Sequence, residues 1–341
     1  MTTTDNSKKT VLITGGTGSF GKTMVMHLLD QGFGEIRIFS RDEWKQEDMR
    51  VRLANPKLKF YIGDIRNKTS IDSAMEDVNL VFHAAALKQV PSCEFFPMEA
   101  VATNVTGSFN VVDSAVKHKV ECCVCLGTDK AVYPVNTMGM TKALMEKVAQ
   151  SFARRLKKSD TKVCSVRYGN VMYSRGSVIP LFIRQIKENS AITVTDPRMT
   201  RFMLPLSQSV ELVQFAFTNA QQGDIFIKKA VACTIDTLVV ALKELFNSNV
   251  EVKHIGTRHG EKLHEVLASA EELRRAQDMG DFFRISMDER DLDYSKYFTE
   301  GDTELDATQD YASDSGTMLD VEGTKELLLS LPEIKAELGT A

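Results

Sequence analysis

Thr10-Val11-Leu12-Ile13-Thr14-Gly15-Gly16-Thr17-Gly18-Ser19-Phe20-Gly21 is the stretch from which the fold can be read. Its first five residues are apolar or β-branched and run straight into glycines, as suits a strand buried on both faces of a parallel sheet. Residues 19–30 then carry a helical pattern that stops near Gln31-Gly32, glycine being a common helix terminator. Between strand and helix, Gly15, Gly18 and Gly21 spell G-x-x-G-x-x-G. Such a turn lets backbone approach a pyrophosphate closely, and the helix start aims free N–H groups at its oxygens. A dinucleotide site is expected there, with Thr17, Ser19 and Phe20 completing the turn.

Working outward, strand patterns recur at 35–40, 58–62, 80–84, 122–126 and 163–168, with helical segments between most of them. Strands alternating with helices imply right-handed βαβ units. The expected class is α/β, a Rossmann-type doubly wound parallel sheet with a smaller C-terminal lobe. Past residue 169 the rhythm changes: helices are expected at 177–189 and 207–219, a short strand at 192–194, and strand and helix again over 224–229 and 234–254. From about residue 286 the chain turns acidic and polar, with Asp-Glu-Arg-Asp at 288–291 and Asp-Tyr-Ala-Ser-Asp at 310–314, before a helix over 321–331. The expected organisation is a cofactor core over 1–170 to which later segments return, a lobe over 171–285 and an extension over 286–341.

Bulk properties narrow the classes. The 341 residues are 43% hydrophobic and 26% charged, with a net charge of -4 and a pI near 6.0. That balance speaks for a globular protein with a real core and against a nucleic-acid binder or a basic membrane-surface protein. No apolar run reaches the roughly 20 residues of a membrane helix, and the polar first ten residues lack a signal-peptide core, so a cytoplasmic location is expected. Cys122 and Cys125 have C-x-x-C spacing, but they sit in a continuous apolar run with no second ligand pair, which reads as a buried strand. His259 and His264 have the wrong spacing for a zinc helix pair, and no metal is expected.

The second strand ends in Ser40-Arg41-Asp42, with Lys45 in the helix that follows. An acid at this strand end serves a ribose hydroxyl, whereas an arginine accommodates a 2′-phosphate. Arg41 favours NADP, while Asp42 keeps NAD as the less favoured choice. Asp64 and Ile65 end the third strand, where the aspartate is placed to accept from an adenine amino group. Ala84, with Ala85 and Ala86, ends the fourth, and these small residues serve either cofactor approach or simple packing.

Past the fifth strand run Thr128-Asp129-Lys130-Ala131-Val132-Tyr133-Pro134 and then Met138-Gly139-Met140-Thr141-Lys142. Short-chain dehydrogenases carry Tyr-x-x-x-Lys here, the phenolate taking the alcohol proton. Lys142 is in place, but Met138 occupies the tyrosine position and cannot accept a proton. Asp129 and Lys130 offer replacement chemistry.

With these segments, and with Ala84 to Pro91, Arg167-Tyr168-Gly169-Asn170-Val171, Asp196 to Phe202 and Gly256 to Lys262, the chain resembles the inverting UDP-N-acetylglucosamine 4,6-dehydratases of the extended short-chain dehydrogenase/reductases. The likeness covers nearly the whole chain and is greatest to the 5-epimerising branch of capsule and O-antigen synthesis, which also has Met-x-x-x-Lys. It implies a lyase with tightly bound NADP, regenerated each cycle, that acts on UDP-N-acetylglucosamine. Residues 171–285 would be mostly a UDP-sugar lobe, and the protein a homo-oligomer, dimeric or hexameric, without nucleic-acid or membrane partners. By analogy Asp129 is the acid for the leaving 6-hydroxyl and Lys130 the C5 base, with Lys142 on the nicotinamide ribose. The resemblance places Lys88, Thr128, Asp129, Asn170, Val178, Arg201, Arg258 and Glu261 at the UDP-sugar, and Lys88, Met138 and Val171 at the cofactor too.

Charge opposes a simple version of this chemistry. An acid at Asp129 needs a pKa about 3 units above its reference, and a base at Lys130 one about 3 units below. Mutual attraction pushes both the wrong way. Desolvation and the positive charges of Lys142 and oxidised nicotinamide must outweigh it, or the pair shares a proton. The rival readings are a UDP-sugar 4-epimerase, which needs no C5 base, and a catalytically inactive NADP-binding regulatory protein.

Overall fold

Leu12 packs into one layer with Phe39, Ile71 and Val81, while Val11 and Ile13 pack into the opposite layer with Met24, Val25 and Leu28. The first strand is therefore covered on both faces, which is why its sequence is continuously apolar. The computed structural model describes residues 5–157, 160–174, 176–288 and 309–340. Its main sheet contains β1 (Thr10–Thr14), β2 (Glu35–Ser40), β3 (Leu58–Ile62), β4 (Leu80–His83), β5 (Cys122–Leu126) and β6 (Lys162–Arg167). They lie in the order β3-β2-β1-β4-β5-β6, all parallel, followed by Ile225–Lys228. The order reverses between β1 and β4, and ligands of such sheets bind at the carboxyl ends beside that reversal. The α/β doubly wound class is what the pattern led one to expect, with strand ends shifted by one residue at His83 and Arg167.

Two antiparallel strands, Phe282–Ile285 and Ala276–Asp278, extend the sheet beyond Ile225–Lys228. This hairpin was not legible in the sequence, because Ala276, Gln277 and Asp278 have neither alternation nor β-branching. Helix α1 (Ser19–Asp30) follows β1, and α2 (Glu43–Leu53) follows β2. The helix Leu206–Asn219, one residue longer at its start than expected, returns to the core against α1.

The smaller lobe has its own core. Ile179, Phe182 and Ile183 of the helix Val178–Lys187 meet Leu238 and Leu242 of Ile235–Leu245 and Leu328 of Val321–Leu329. The last helix is shorter than the expected 321–331, and a second one, Pro332–Leu338, follows. Proline at a first helical position starts a new helix readily but cannot continue the old one. The polar segment 310–314 also departs from expectation: Tyr311–Ala312 pairs antiparallel with Val266–Ala268. Most of the acidic stretch at 288–291 lies outside the described residues. All six cysteines are buried, and Cys122–Leu126 is a strand throughout. Among the described residues no helix is long and apolar enough to cross a membrane.

Candidate active site

A cleft of about 1240 Å³ opens at the carboxyl ends of β1, β2, β4 and β5. Gly15 leaves β1 with φ +71°, and a Cβ there would stand 2.9 Å from the Ala85 backbone. Only glycine allows this approach in this conformation. Gly18 is the N-cap of α1 and makes no side-chain cap, so the first amides of α1 stand at the cleft wall as anion donors. These features fit a dinucleotide pyrophosphate. The expected cofactor residues all line the cleft: Gly15, Thr17, Gly18, Ser19, Phe20 and Gly21 in the turn, Ser40, Arg41, Asp42 and Lys45 after β2, Asp64 and Ile65 after β3, Ala84 and Lys88 after β4, and Met138, Lys142 and Val171.

At the β2 end, local structure sorts the two candidates for the ribose. Asp42 caps α2, accepting from the Lys45 amide at 3.0 Å and from the Lys45 ammonium. Those bonds hold its carboxyl below the usual range. Arg41 is 54% exposed in its side chain, with a guanidinium nitrogen 3.6 Å from Asp64. Asp64 is gripped by Arg66 at 2.7 Å and 2.9 Å; burial raises its pKa, but Arg66 and Arg41 outweigh that and hold it low. Sequence reasoning missed Trp44, which also lines this wall and is 75% exposed. Its visible signal is a lone tryptophan in the first turn of a charged helix, an unusual place for a large aromatic ring.

The reactive end is built by a short 3-10 turn, Asp129–Ala131, laid across the helix Thr137–Ala153. A Cβ on Gly139 would come within 2.2 Å of the Lys130 carbonyl oxygen, so glycine at this position brings the turn down onto the helix. Asp129 is buried, and its Oδ1 accepts from Thr128 Oγ1 at 2.8 Å, the Lys130 amide at 2.8 Å and Lys130 Nζ at 3.1 Å. Lys130 Nζ is also 3.4 Å from Glu265. Burial works against the charge on Lys130, yet Asp129 and Glu265 outweigh it and raise its pKa. Lys130 is thus held as an ammonium against the Asp129 side chain.

Lys142 is the opposite case. It is buried at 6% exposure, and its Nζ meets the Met145 sulfur at 3.2 Å. Burial pushes its pKa down to about 8, with Cys125 and Glu146 opposing. Met138, one turn earlier, packs with Cys93 and Ala100. Asn104, another residue the sequence did not reveal, ties the cleft together. Its side chain accepts from the Leu87 amide at 2.8 Å and donates to the Leu87 carbonyl at 2.9 Å and to Thr141 Oγ1 at 3.0 Å. The loop carrying Lys88 is thereby fastened to the helix carrying Lys142.

Of the expected sugar contacts, Lys88, Thr128, Asp129 and Asn170 line the cleft, whereas Val178, Arg201, Arg258 and Glu261 do not. Val178 packs on the lobe core. Arg201 donates to the Thr200 and Leu263 carbonyls at 2.7 Å and 3.3 Å, and its Nε lies 3.8 Å from Glu265. Arg258 is 57% exposed beside Glu261, 3.9 Å away. These four residues stand outside the cleft lining, Arg201 donating to neighbouring carbonyls and Arg258 reaching toward solvent beside Glu261.

Residues 11–287 match the family described as polysaccharide biosynthesis protein, and residues 288–335 match the family of its C-terminal region. The chain belongs to the polysaccharide biosynthesis protein family. A relative from Rickettsia rickettsii (strain Sheila Smith) named UDP-glucose 4-epimerase is 56% identical over 337 residues, covering 98% of this polysaccharide biosynthesis protein and 99% of the relative. A relative of the same name from Rickettsia conorii (strain ATCC VR-613 / Malish 7) is also 56% identical over 337 residues, covering 98% and 99%. Among solved structures, Pen from Bacillus thuringiensis superposes with a TM-score of 0.87 at 36% identity, covering 96% of this chain and 100% of that one. The dTDP-glucose 4,6-dehydratase DesIV from Streptomyces venezuelae, with NAD and TYD bound, shares the fold with a TM-score of 0.68 at 21% identity, over 74% and 86% of the two chains. This polysaccharide biosynthesis protein is accordingly an enzyme of the nucleotide-sugar dehydratase/epimerase group of extended short-chain dehydrogenase/reductases.

Proposed function

We propose that the protein is an NADP-dependent UDP-N-acetylglucosamine 4,6-dehydratase that inverts C5, yielding UDP-2-acetamido-2,6-dideoxy-β-L-arabino-hexos-4-ulose. The observation that carries this reading is a cleft in which Met138 replaces the phenol while Asp129 and Lys130 stand hydrogen-bonded at the end of β5. Moving C4 stereochemistry alone requires no acid–base pair for C5 and C6, whereas loss of water does. A nicotinamide held between the Gly15 to Gly21 turn and Lys142 would supply a hydride acceptor for C4 and a hydride donor for C6, the C4 hydroxyl proton leaving to solvent. NADP is supported over NAD because Asp42 is committed to capping α2, leaving Arg41 half-exposed at the strand end.

Lys142 holds the nicotinamide ribose. At the sugar, Lys130 removes the C5 proton and Asp129 protonates the departing 6-hydroxyl. Both roles follow from one proton transfer: crossing the 3.1 Å bond from Lys130 Nζ to Asp129 Oδ1 converts ammonium and carboxylate into amine and acid. Positive charge from Lys142 and the oxidised nicotinamide favours that exchange, and the pair then titrates as a unit. Asn170 Oδ1 is buried without a hydrogen-bond partner among the described residues, which supports a sugar hydroxyl donor there. Lys88 and Thr128 complete the cleft side, and Val178, Arg201, Arg258 and Glu261 are the proposed contacts from the lobe.

Incubation with UDP-N-acetylglucosamine in heavy water tests the reading by mass spectrometry and NMR. Loss of one water with solvent deuterium at C5 is expected, and Lys130→Ala should lose C5 exchange while still binding NADP. A product of unchanged mass, inverted at C4, would instead establish the second reading, a UDP-sugar 4-epimerase, which the names of the Rickettsia relatives favour.

A further inference from the structure

Glu265 belongs to no cofactor or substrate motif, yet it stands behind the reactive pair. Its backbone is pinned from both sides: its amide donates to Ser313 Oγ at 2.9 Å and its carbonyl accepts from the Ser313 amide at 2.8 Å. Its side chain is only 4% exposed, with Oε1 3.4 Å from Lys130 Nζ and 3.8 Å from Arg201 Nε. Its other oxygen, Oε2, is buried without a hydrogen-bond partner among the described residues. A carboxylate in such a place is stable only while a cation stays close.

The groups facing Lys130 come from several elements. Asp129 belongs to its own turn, Arg201 to the strand Thr200–Met203, and Glu265 and Lys262 to the segment before the strand Val266–Ala268. Lys262 is engaged with the Val132 carbonyl. Lys130 therefore lies between carboxylates from two different parts of the fold.

We propose that Glu265 is a positioning residue that clamps Lys130 as an ammonium in the resting enzyme and so governs when that lysine gives up its proton. The proton passes from Lys130 Nζ to Asp129, and Glu265 remains a carboxylate with Arg201 as its neighbouring cation. When the proton returns, Glu265 and Asp129 hold it on the lysine, so the site starts each cycle loaded. The consequence for turnover rests on Lys130 being the C5 base, but the clamp itself is measurable without substrate.

The experiment is an NMR pH titration of the enzyme labelled with 13Cε-lysine, the Lys130 signal being assigned by its loss in Lys130→Arg. Lys130 should hold its proton to higher pH than a free lysine, and Glu265→Gln should lower the midpoint by about one pH unit or more, a tenfold easier proton loss. Glu265→Asp, which keeps the charge but withdraws it, should fall between the two and serves if the glutamine variant does not fold. Identical Lys130 titrations in the wild type and in whichever of these variants folds would overturn the proposal.

The catalytic consequence is read separately from the pH profile of C5 deuterium incorporation into product, whose alkaline limb, set by loss of the proton that the pair shares, should move down in Glu265→Gln by the same interval. An unmoved limb, with exchange still lost in Lys130→Ala, would refute Glu265 alone. Exchange persisting in Lys130→Ala would refute the proposed base and leave the clamp standing on its own titration.

Discussion

Arg167→Met tests how the cleft is held in place. The Arg167 side chain is 5% exposed and grips Glu146, itself 4% exposed, through bonds of 2.6 to 3.1 Å. It also holds Glu272, 21% exposed, through two bonds of 2.8 Å, and donates to the Leu267 carbonyl at 3.2 Å. One guanidinium on β6 thus joins the helix of Lys142 to the segment of Glu265. Burial opposes its charge, but Glu146 and Glu272 outweigh that and raise its pKa. Methionine fills similar volume and removes the charge, leaving Glu146 uncompensated in the interior. Removing one partner of a buried pair costs about 3–5 kcal/mol, and since Glu272 can rehydrate, a loss near the lower end is expected. Urea unfolding followed by far-UV circular dichroism measures it, with Glu272→Gln expected to lose less. A loss below about 1 kcal/mol in Arg167→Met, at an unchanged m-value, would show that this network does not hold the segments together.

Arg41→Ala should weaken NADP binding by about 1.5–3 kcal/mol, the worth of hydrogen bonds to a charged group, with little change for NAD; the single tryptophan, Trp44, on the cleft wall offers the fluorescence signal, and equal losses for both cofactors would place the 2′-phosphate elsewhere. Lys142, pushed down to about 8 by burial, is protonated below that pH and neutral above it, so cofactor affinity should fall from pH 7 to pH 9.5 and lose this dependence in Lys142→Met. The same depressed value means the unfolded chain binds more protons between about 8 and the ordinary lysine range near 10.4, so this group's contribution to stability rises with pH across that window. Met138→Ala should keep most turnover, because the thioether carries no proton; collapse of activity with cofactor binding intact would assign it a role in the chemistry.

Local signals in the chain were enough to specify the sheet and the cofactor wall. A strand buried on both faces must be apolar throughout, a turn that meets a pyrophosphate needs glycine, and Gly15 meets Ala85 because both close neighbouring parallel strands. The pairing of Asp129 with Lys130 was likewise legible, since adjacent residues at a strand end share one neighbourhood. What tertiary structure alone decided is which distant groups bear on that pair. Glu265 lies far along the chain yet 3.4 Å from Lys130, and Asn104 fastens Leu87 to Thr141 from a helix with no cofactor motif. Charge falls off with distance in space and takes no account of separation along the chain. The ionisation of Lys130 and Lys142, opposite in direction at the two sides of one cleft, was therefore set by packing rather than by any run of residues.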